Sequence, residues 1–260
     1  MEDGHPLDRP QTAAYLFAAH LSESMAAPPM IDTIAFDGDD TLWHNESLFS
    51  MTQDRFRGLL AHAADPAVID ARLLDAERRN LGVYGYGIKG FVLSMIETAI
   101  EVTDGRVAAT DIQTLIDFGK AMLQHPVDLL DGVAEVVDAL SGRYRLLLIT
   151  KGDLFDQESK IARSGLAERF GAVEIVSEKD PDTYRRVLDR HGVDPARFVM
   201  VGNSVRSDIL PVLAVGGHAV HVPYHVTWAH EVAEPPAEGY RRIESVRELE
   251  GILARLRSGV

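Results

Sequence analysis

Apolar and polar positions follow two different periods along this chain, and the switches between them divide it. Ile31 to Phe36 is an apolar run holding one Asp and one Thr, and it reads as a strand. Just after Trp43 the period becomes helical. Asn45 is placed to cap a helix bearing Leu48, Phe49, Phe56, Leu59 and Leu60 at helical spacing. Pro66 opens a second helix, with Val68, Ile69, Leu73 and Leu74 as its apolar positions. A glycine-rich break from Gly82 to Gly90 precedes helices near 91–102 and 109–124.

From Asp131 onward helices and strands alternate. Val133, Val136, Val137 and Leu140 mark an amphipathic helix, and Arg145 to Thr150 is a continuous apolar run of the kind found in buried parallel strands. A helix near 156–164, a strand at 173–176, a helix at 181–191, a strand at 198–201, a helix near 207–214 and a strand at 218–222 follow. Val246, Leu249, Ile252, Leu253 and Leu256 mark a C-terminal helix. This order predicts an α/β fold, a parallel sheet with helices on both faces. The helical block at 46–130 interrupts the alternation directly after the first strand, so an insertion there lies beside that strand's end and is placed to act as a lid. Residues 1–29 read as an extension outside the fold.

Composition narrows the partners. Asp plus Glu outnumber Lys plus Arg by 40 to 26, a formal net charge of −14, which argues against nucleic acid and anionic membrane surfaces. The chain has no cysteine, which excludes disulfides, thiolate zinc sites and cysteine nucleophiles and fits a reducing, cytoplasmic compartment. No apolar run is long enough to span a bilayer. The sequence sets no oligomeric state.

The candidate chemistry begins at the end of the first strand, in Asp37-Gly38-Asp39-Asp40-Thr41. Carboxylates this crowded repel unless a cation sits among them, and hard oxygen ligands suit Mg²⁺. Of such a pair, one carboxylate can attack an electrophile and the other can move protons. The plainer reading is an acidic turn, with Asp40 or Thr41 capping the next helix. The second strand of the chain ends at Thr150, followed by Lys151 and Gly152, where a hydroxyl and free amides can hold anionic oxygens. Lys179 follows the next strand, and Gly202-Asn203 with Asp208 follow the one after, offering oxygens to a cation.

An acid pair, then Thr, then Lys, then Asn and Asp, each at a strand end, resembles the haloacid dehalogenase (HAD-like) superfamily of hydrolases over residues 30–225. Asp37-Gly38-Asp39-Asp40-Thr41 fits that family's D-x-D-x-T motif; Asn203 stands where its fourth motif usually has Asp. The resemblance implies a Rossmann-like core, residues 30–45 and 131–260, with 46–130 as an inserted α-helical cap. It implies a Mg²⁺-dependent phosphatase acting on a small phosphorylated metabolite through an aspartyl phosphate. Asp37 is then the nucleophile, Asp39 the acid and base, and Thr150 and Lys179 neutralise phosphoryl oxygens. The metal set it implies is Asp37, the Asp39 carbonyl and Asp208, with Asn203 bringing an oxygen but no charge. Lys151 competes with Lys179 for the phosphate; the order of motifs favours Lys179. The alternatives are a 2-haloacid dehalogenase, which lacks an aspartate where Asp39 stands, a sugar phosphomutase, and a non-catalytic binding protein of the same fold.

Two further features carry less. His218, His221, His225 and His230 cluster in sequence without regular ligand spacing, which favours scattered packing roles over a zinc site. The Tyr84–Gly90 loop is expected to reach over Asp37, with Tyr86 and Lys89, together with Lys151 and Gly152, contacting substrate.

Overall fold

The computed structural model describes residues 30–258; the expected extension at 1–29 lies outside the described residues. Six strands form one parallel sheet in the order β3-β2-β1-β4-β5-β6. They are β1 (Thr33–Phe36), β2 (Arg145–Lys151), β3 (Ala172–Val176), β4 (Phe198–Gly202), β5 (His218–His221) and β6 (Arg241–Arg242). The chain runs outward from β1 to β2 and β3, then returns to the other side of β1 as β4. This reversal puts a crevice at the carboxyl ends of β1 and β4, where open α/β sheets bind ligands.

Period-2 alternation sends neighbouring residues of each strand to opposite faces. Ile34, Phe36, Leu146, Leu148, Val199 and Val201 pack with helices α5 (Val133–Ser141) and α9 (Leu249–Ser258). Ala35, Leu147, Ile149 and Met200 pack on the other face with α7 (Pro181–His191) and α8 (Leu210–Ala214). Helix α6 (Leu154–Arg163) links β2 towards β3.

The helical block between β1 and α5 consists of α1 (Glu46–Leu60), α2 (Pro66–Tyr84), α3 (Ile88–Val102) and α4 (Ala109–Gln124). These four helices share a separate apolar cluster that includes Phe56, Leu60, Ile69, Leu73, Phe91, Met95, Leu115 and Met122. The two connections to the sheet run side by side. Trp43 bridges Leu129, the His44 amide donates to the Asp128 carbonyl at 3.0 Å, and the Leu130 amide donates to the Leu42 carbonyl at 3.0 Å. Among the described residues no helix is long and apolar enough to cross a membrane.

At three places the local structure departs from, or adds to, what the pattern predicts. The helix near 207–214 is split: Val205–Ile209 forms a π-helical turn before α8 begins at Leu210. β6 adds a two-residue edge strand that no hydrophobic pattern marks, because it is Arg241-Arg242. Asn45 precedes α1 without capping it through its side chain. Asp40 does that instead, its Oδ1 accepting from the Asn45 and Glu46 amides at 2.9 and 3.0 Å. Asp40 reaches them from a left-handed backbone conformation, φ 60°.

Candidate functional site

The carboxyl ends of β1, β2 and β4 and the first turn beyond β3 converge on one cleft, roofed by the helical block. Its walls include Asp37, Asp39, Thr150, Lys151, Gly152, Lys179 and Asn203 from the sheet side, and Tyr86 and Gly87 from the α2–α3 connection. Asp37 follows β1 directly, and its amide donates to the Val201 carbonyl of β4 at 2.9 Å. Gly38 lets the chain turn against the sheet: a Cβ there would meet the Trp43 ring at 2.7 Å and Thr150 Oγ1 at 3.2 Å.

Lys179 is buried at the centre. Its Nζ donates to Asp37 Oδ1 at 2.6 Å and to Asp208 Oδ1 at 2.7 Å. Burial works against its charge, but Asp208 and Asp37 more than offset that and hold its pKa above the ordinary lysine value. Burial pushes the Asp37 carboxyl up, to about 7, against the pull of Lys179. Thr150 Oγ1 is buried without a hydrogen-bond partner in the cleft wall, an open donor for an anionic oxygen.

Asp208 is fully buried, and both of its oxygens are engaged within the protein. Oδ1 faces Lys179, and Oδ2 accepts from the Ser204 amide at 3.0 Å. Gly202 makes room for it, since a Cβ there would run into the Asp208 carboxylate. Asn203 lies nearer the acid pair. With its amide nitrogen turned towards them, it donates to Asp37 Oδ2 and to the Asp39 carbonyl at 3.2 Å each. Turned the other way, its carbonyl oxygen faces those same two oxygens and accepts from Thr41 Oγ1 at 3.3 Å. A side-chain carboxylate, a main-chain carbonyl and an amide oxygen thus meet at one point, a hard donor set that fits Mg²⁺. Among the described residues no three His, Cys, Asp or Glu side chains converge as a metal site, the four C-terminal histidines included.

Asp39 is held from several sides. Trp43 Nε1 donates to its Oδ1 at 2.7 Å and Gln157 Nε2 to its Oδ2 at 2.8 Å, while Lys160 Nζ reaches both oxygens at 2.8 and 2.9 Å. Burial works against the charge of Lys160, but Asp39 and Asp156 raise its pKa above the ordinary value. Gln157 and Lys160, three residues apart on one face of α6, are the main residues that sequence reasoning missed. Their spacing after Gly152 was the available signal.

Lys151 points elsewhere. Its Nζ is paired with Glu231, donates to Ser207 Oγ at 2.9 Å, and lies 4.2 Å from the centre of the Tyr86 ring. Burial would raise the Glu231 carboxyl, but Lys151, Ser204 and Ser207 hold it below its ordinary value. Tyr86 reaches across the cleft, its hydroxyl donating to Glu178 at 2.7 Å and its ring meeting Trp228 edge-on at 5.8 Å. Lys89 is more than half exposed and pairs with Asp153 at 2.9 Å, outside the cleft lining. The far wall carries two further acids, Glu46 and Glu77, whose carboxyls burial pushes up to about 8 and about 7.

Comparison with known proteins matches this arrangement to a family. A crystal structure of a haloacid dehalogenase-like family hydrolase from Xanthomonas campestris superposes with a TM-score of 0.80 at 42% identity, over 90% of this chain and 98% of that one. L-2-haloacid dehalogenase from Xanthobacter autotrophicus shares the fold, with a TM-score of 0.61 at 17% identity over 86% and 99% of the two chains. N-acylneuraminate-9-phosphatase of Mus musculus is 30% identical over 140 residues, 50% of this chain and 54% of that protein. The same enzyme of Rattus norvegicus is 32% identical over 99 residues, 36% of this chain and 40% of its own length. The chain thus spans about half the length, or less, of the curated relatives it matches. Residues 31–216 match the description of the haloacid dehalogenase-like hydrolases. With the sheet order, the acid pair at the end of β1 and the buried lysine against it, this places the chain in the haloacid dehalogenase-like hydrolase family.

Proposed function

We propose that this hydrolase is a Mg²⁺-dependent phosphatase that cleaves a small phosphomonoester through an aspartyl phosphate on Asp37. The observation that carries the reading is Asp39, a second carboxylate in the cleft two residues from Asp37 and held by Trp43, Gln157 and Lys160. Displacement of halide from carbon needs a nucleophile but no group to protonate a leaving alkoxide. Transfer of a phosphoryl group from an alcohol needs both. The names of the Mus musculus and Rattus norvegicus relatives point the same way and make an acylated sugar phosphate the first substrate to try.

In the first step Asp37 attacks phosphorus while Asp39 gives a proton to the departing oxygen. In the second, Asp39 takes a proton from water as that water attacks the phosphoryl group and frees Asp37. Lys179 and the unpartnered Thr150 hydroxyl take up charge on the phosphoryl oxygens. Asp37 Oδ2, the Asp39 carbonyl and the Asn203 side chain would hold Mg²⁺, and Asp208 keeps Lys179 in place. The bound metal supplies further neutralisation of the transferring group. Residues 46–130 act as the cap, hinged at the paired connections near Trp43 and Leu129 and presenting Tyr86 to the substrate. A cytoplasmic location belongs to the same reading, since phosphorylated metabolites and a cysteine-free chain both suit it.

A panel of phosphate esters, including a 9-phosphorylated N-acylneuraminate, tests the reading by phosphate release with Mg²⁺. Release from at least one ester, stopped by EDTA, is expected. No release from any ester, with halide freed from 2-haloacids in metal-free buffer, would contradict it.

A further inference from the structure

Lys160 is a buried ammonium to which the chemistry above assigns no task of its own. Burying an ammonium is costly unless it is paired, and Asp156 on the same helix lies close enough to pair with it, at 3.4 Å. Lys160 nevertheless reaches further, to both oxygens of Asp39 at 2.8 and 2.9 Å and to Asn45 Oδ1 at 3.2 Å. Gln157, one turn earlier on α6, adds a third contact on the same carboxylate through Nε2. Its own Oε1 is buried in the cleft wall with no partner, a free acceptor beside Asp39 of the kind that holds a water.

We propose that Lys160, seconded by Gln157, is a positioning residue: it fixes the rotation of the Asp39 carboxylate so that Asp39 meets the water that hydrolyses the Asp37 acyl phosphate. The inference rests on the phosphatase reading. In that step the water oxygen bonds to phosphorus, its proton passes to Asp39, and the bond from phosphorus to the Asp37 oxygen breaks with its electron pair returning to Asp37. A free aspartate rotates about two bonds, and proton transfer requires it within about 2.6–3.2 Å of the water. Small misplacements of a catalytic group cost up to about a hundredfold in rate. The anchors come from α6 and from the segment after β1, so the carboxylate is tied to the core and keeps its place whatever the helical block does.

The test uses Lys160→Met and Gln157→Leu with 4-nitrophenyl phosphate and Mg²⁺. That leaving group departs without a proton, so phosphorylation of Asp37 proceeds while hydrolysis of the intermediate still needs Asp39. Lys160→Met should lower kcat by about tenfold or more and leave KM within about threefold. Intact mass after acid quench should show a larger phosphorylated fraction than in wild type. Gln157→Leu should change both readouts in the same direction by less. Wild-type kcat in both variants, a fall in kcat without accumulation, or a raised KM at unchanged kcat would overturn the proposal. If Lys160→Met does not fold, Gln157→Leu decides, because it keeps the lysine. A wild-type protein that releases phosphate from no ester defeats the phosphatase reading itself, whereas normal wild-type turnover with unshifted variants defeats only the positioning role.

Discussion

Asn203 shows how one residue sets a measurable property of the site. Its side chain meets Asp37 Oδ2 and the Asp39 carbonyl, yet it brings no charge to them. Asn203→Asp should therefore tighten Mg²⁺ binding, by about tenfold, in calorimetry on the protein without substrate, because a second carboxylate strengthens the ion's field. Equal affinity in the two proteins would mean that position 203 does not touch the ion. Lys179 makes the opposite case. It lies between Asp37 and Asp208 with almost no exposure, so Lys179→Met leaves two buried carboxylates facing each other. Chemical denaturation should show a loss of about 3–5 kcal/mol, the usual cost of breaking a buried pair. A variant as stable as wild type would contradict the pairing. Asp37, Thr150, Lys179 and Asn203 were legible in the sequence because each follows a recognisable apolar run and a parallel sheet brings such ends together. Gln157, Lys160 and Glu231 were not. The first two depend on how α6 rotates against the sheet, and Glu231 depends on a long segment after β5 folding back onto Lys151.

Among the elements, α1 and the α2–α3 connection carry the most consequence. Glu46, at the start of α1, faces the cleft beside Asp40 and Glu77, and its carboxyl sits near 8 through burial and those neighbours. A carboxyl raised in the folded state binds more protons than in the unfolded chain between pH ~4.5 and ~8, so folding stability falls as pH rises through that window. Glu46→Gln should raise the melting temperature at pH 8 and change it little at pH 4.5, worth about 2 kcal/mol at the upper end once partial exposure is discounted. An equal shift at both pH values would place Glu46 in solvent. Gly85 and Gly87, at φ 70° and 112°, turn the α2–α3 connection into the cleft and deliver Tyr86 there. Tyr86→Ala should alter relative kcat/KM across phosphate esters more than it alters melting temperature; unchanged ratios would remove Tyr86 from recognition. Lys89→Ala should leave those ratios alone, because Lys89 is spent on Asp153. The glycines revealed the turn from sequence, but only the packing of α3 separates Tyr86, turned inward, from Lys89, turned out. The split of the 207–214 helix was illegible for a related reason. Asp208 must sit against Gly202 and Lys179, and a π-helical turn provides that fit.

Across the whole molecule, the topology explains why one cleft gathers residues that lie far apart in the chain. The strand order reverses at β1, the helical block leaves and re-enters beside that strand, and the carboxyl ends of β1, β2 and β4 open onto the same space. Against a net charge of −14, the cleft wall carries three lysines, the buried Lys179 and Lys160 and the partly buried Lys151, which gives an anionic substrate local cations there. The mechanism turns on a bond from Asp37 to phosphorus. It is tested most directly by phosphate release from Asp37→Asn and wild type, side by side, on the best ester with saturating Mg²⁺, with circular dichroism confirming the same fold. Release from the variant is expected at background level. Turnover by Asp37→Asn at a sizeable fraction of the wild-type rate would contradict it.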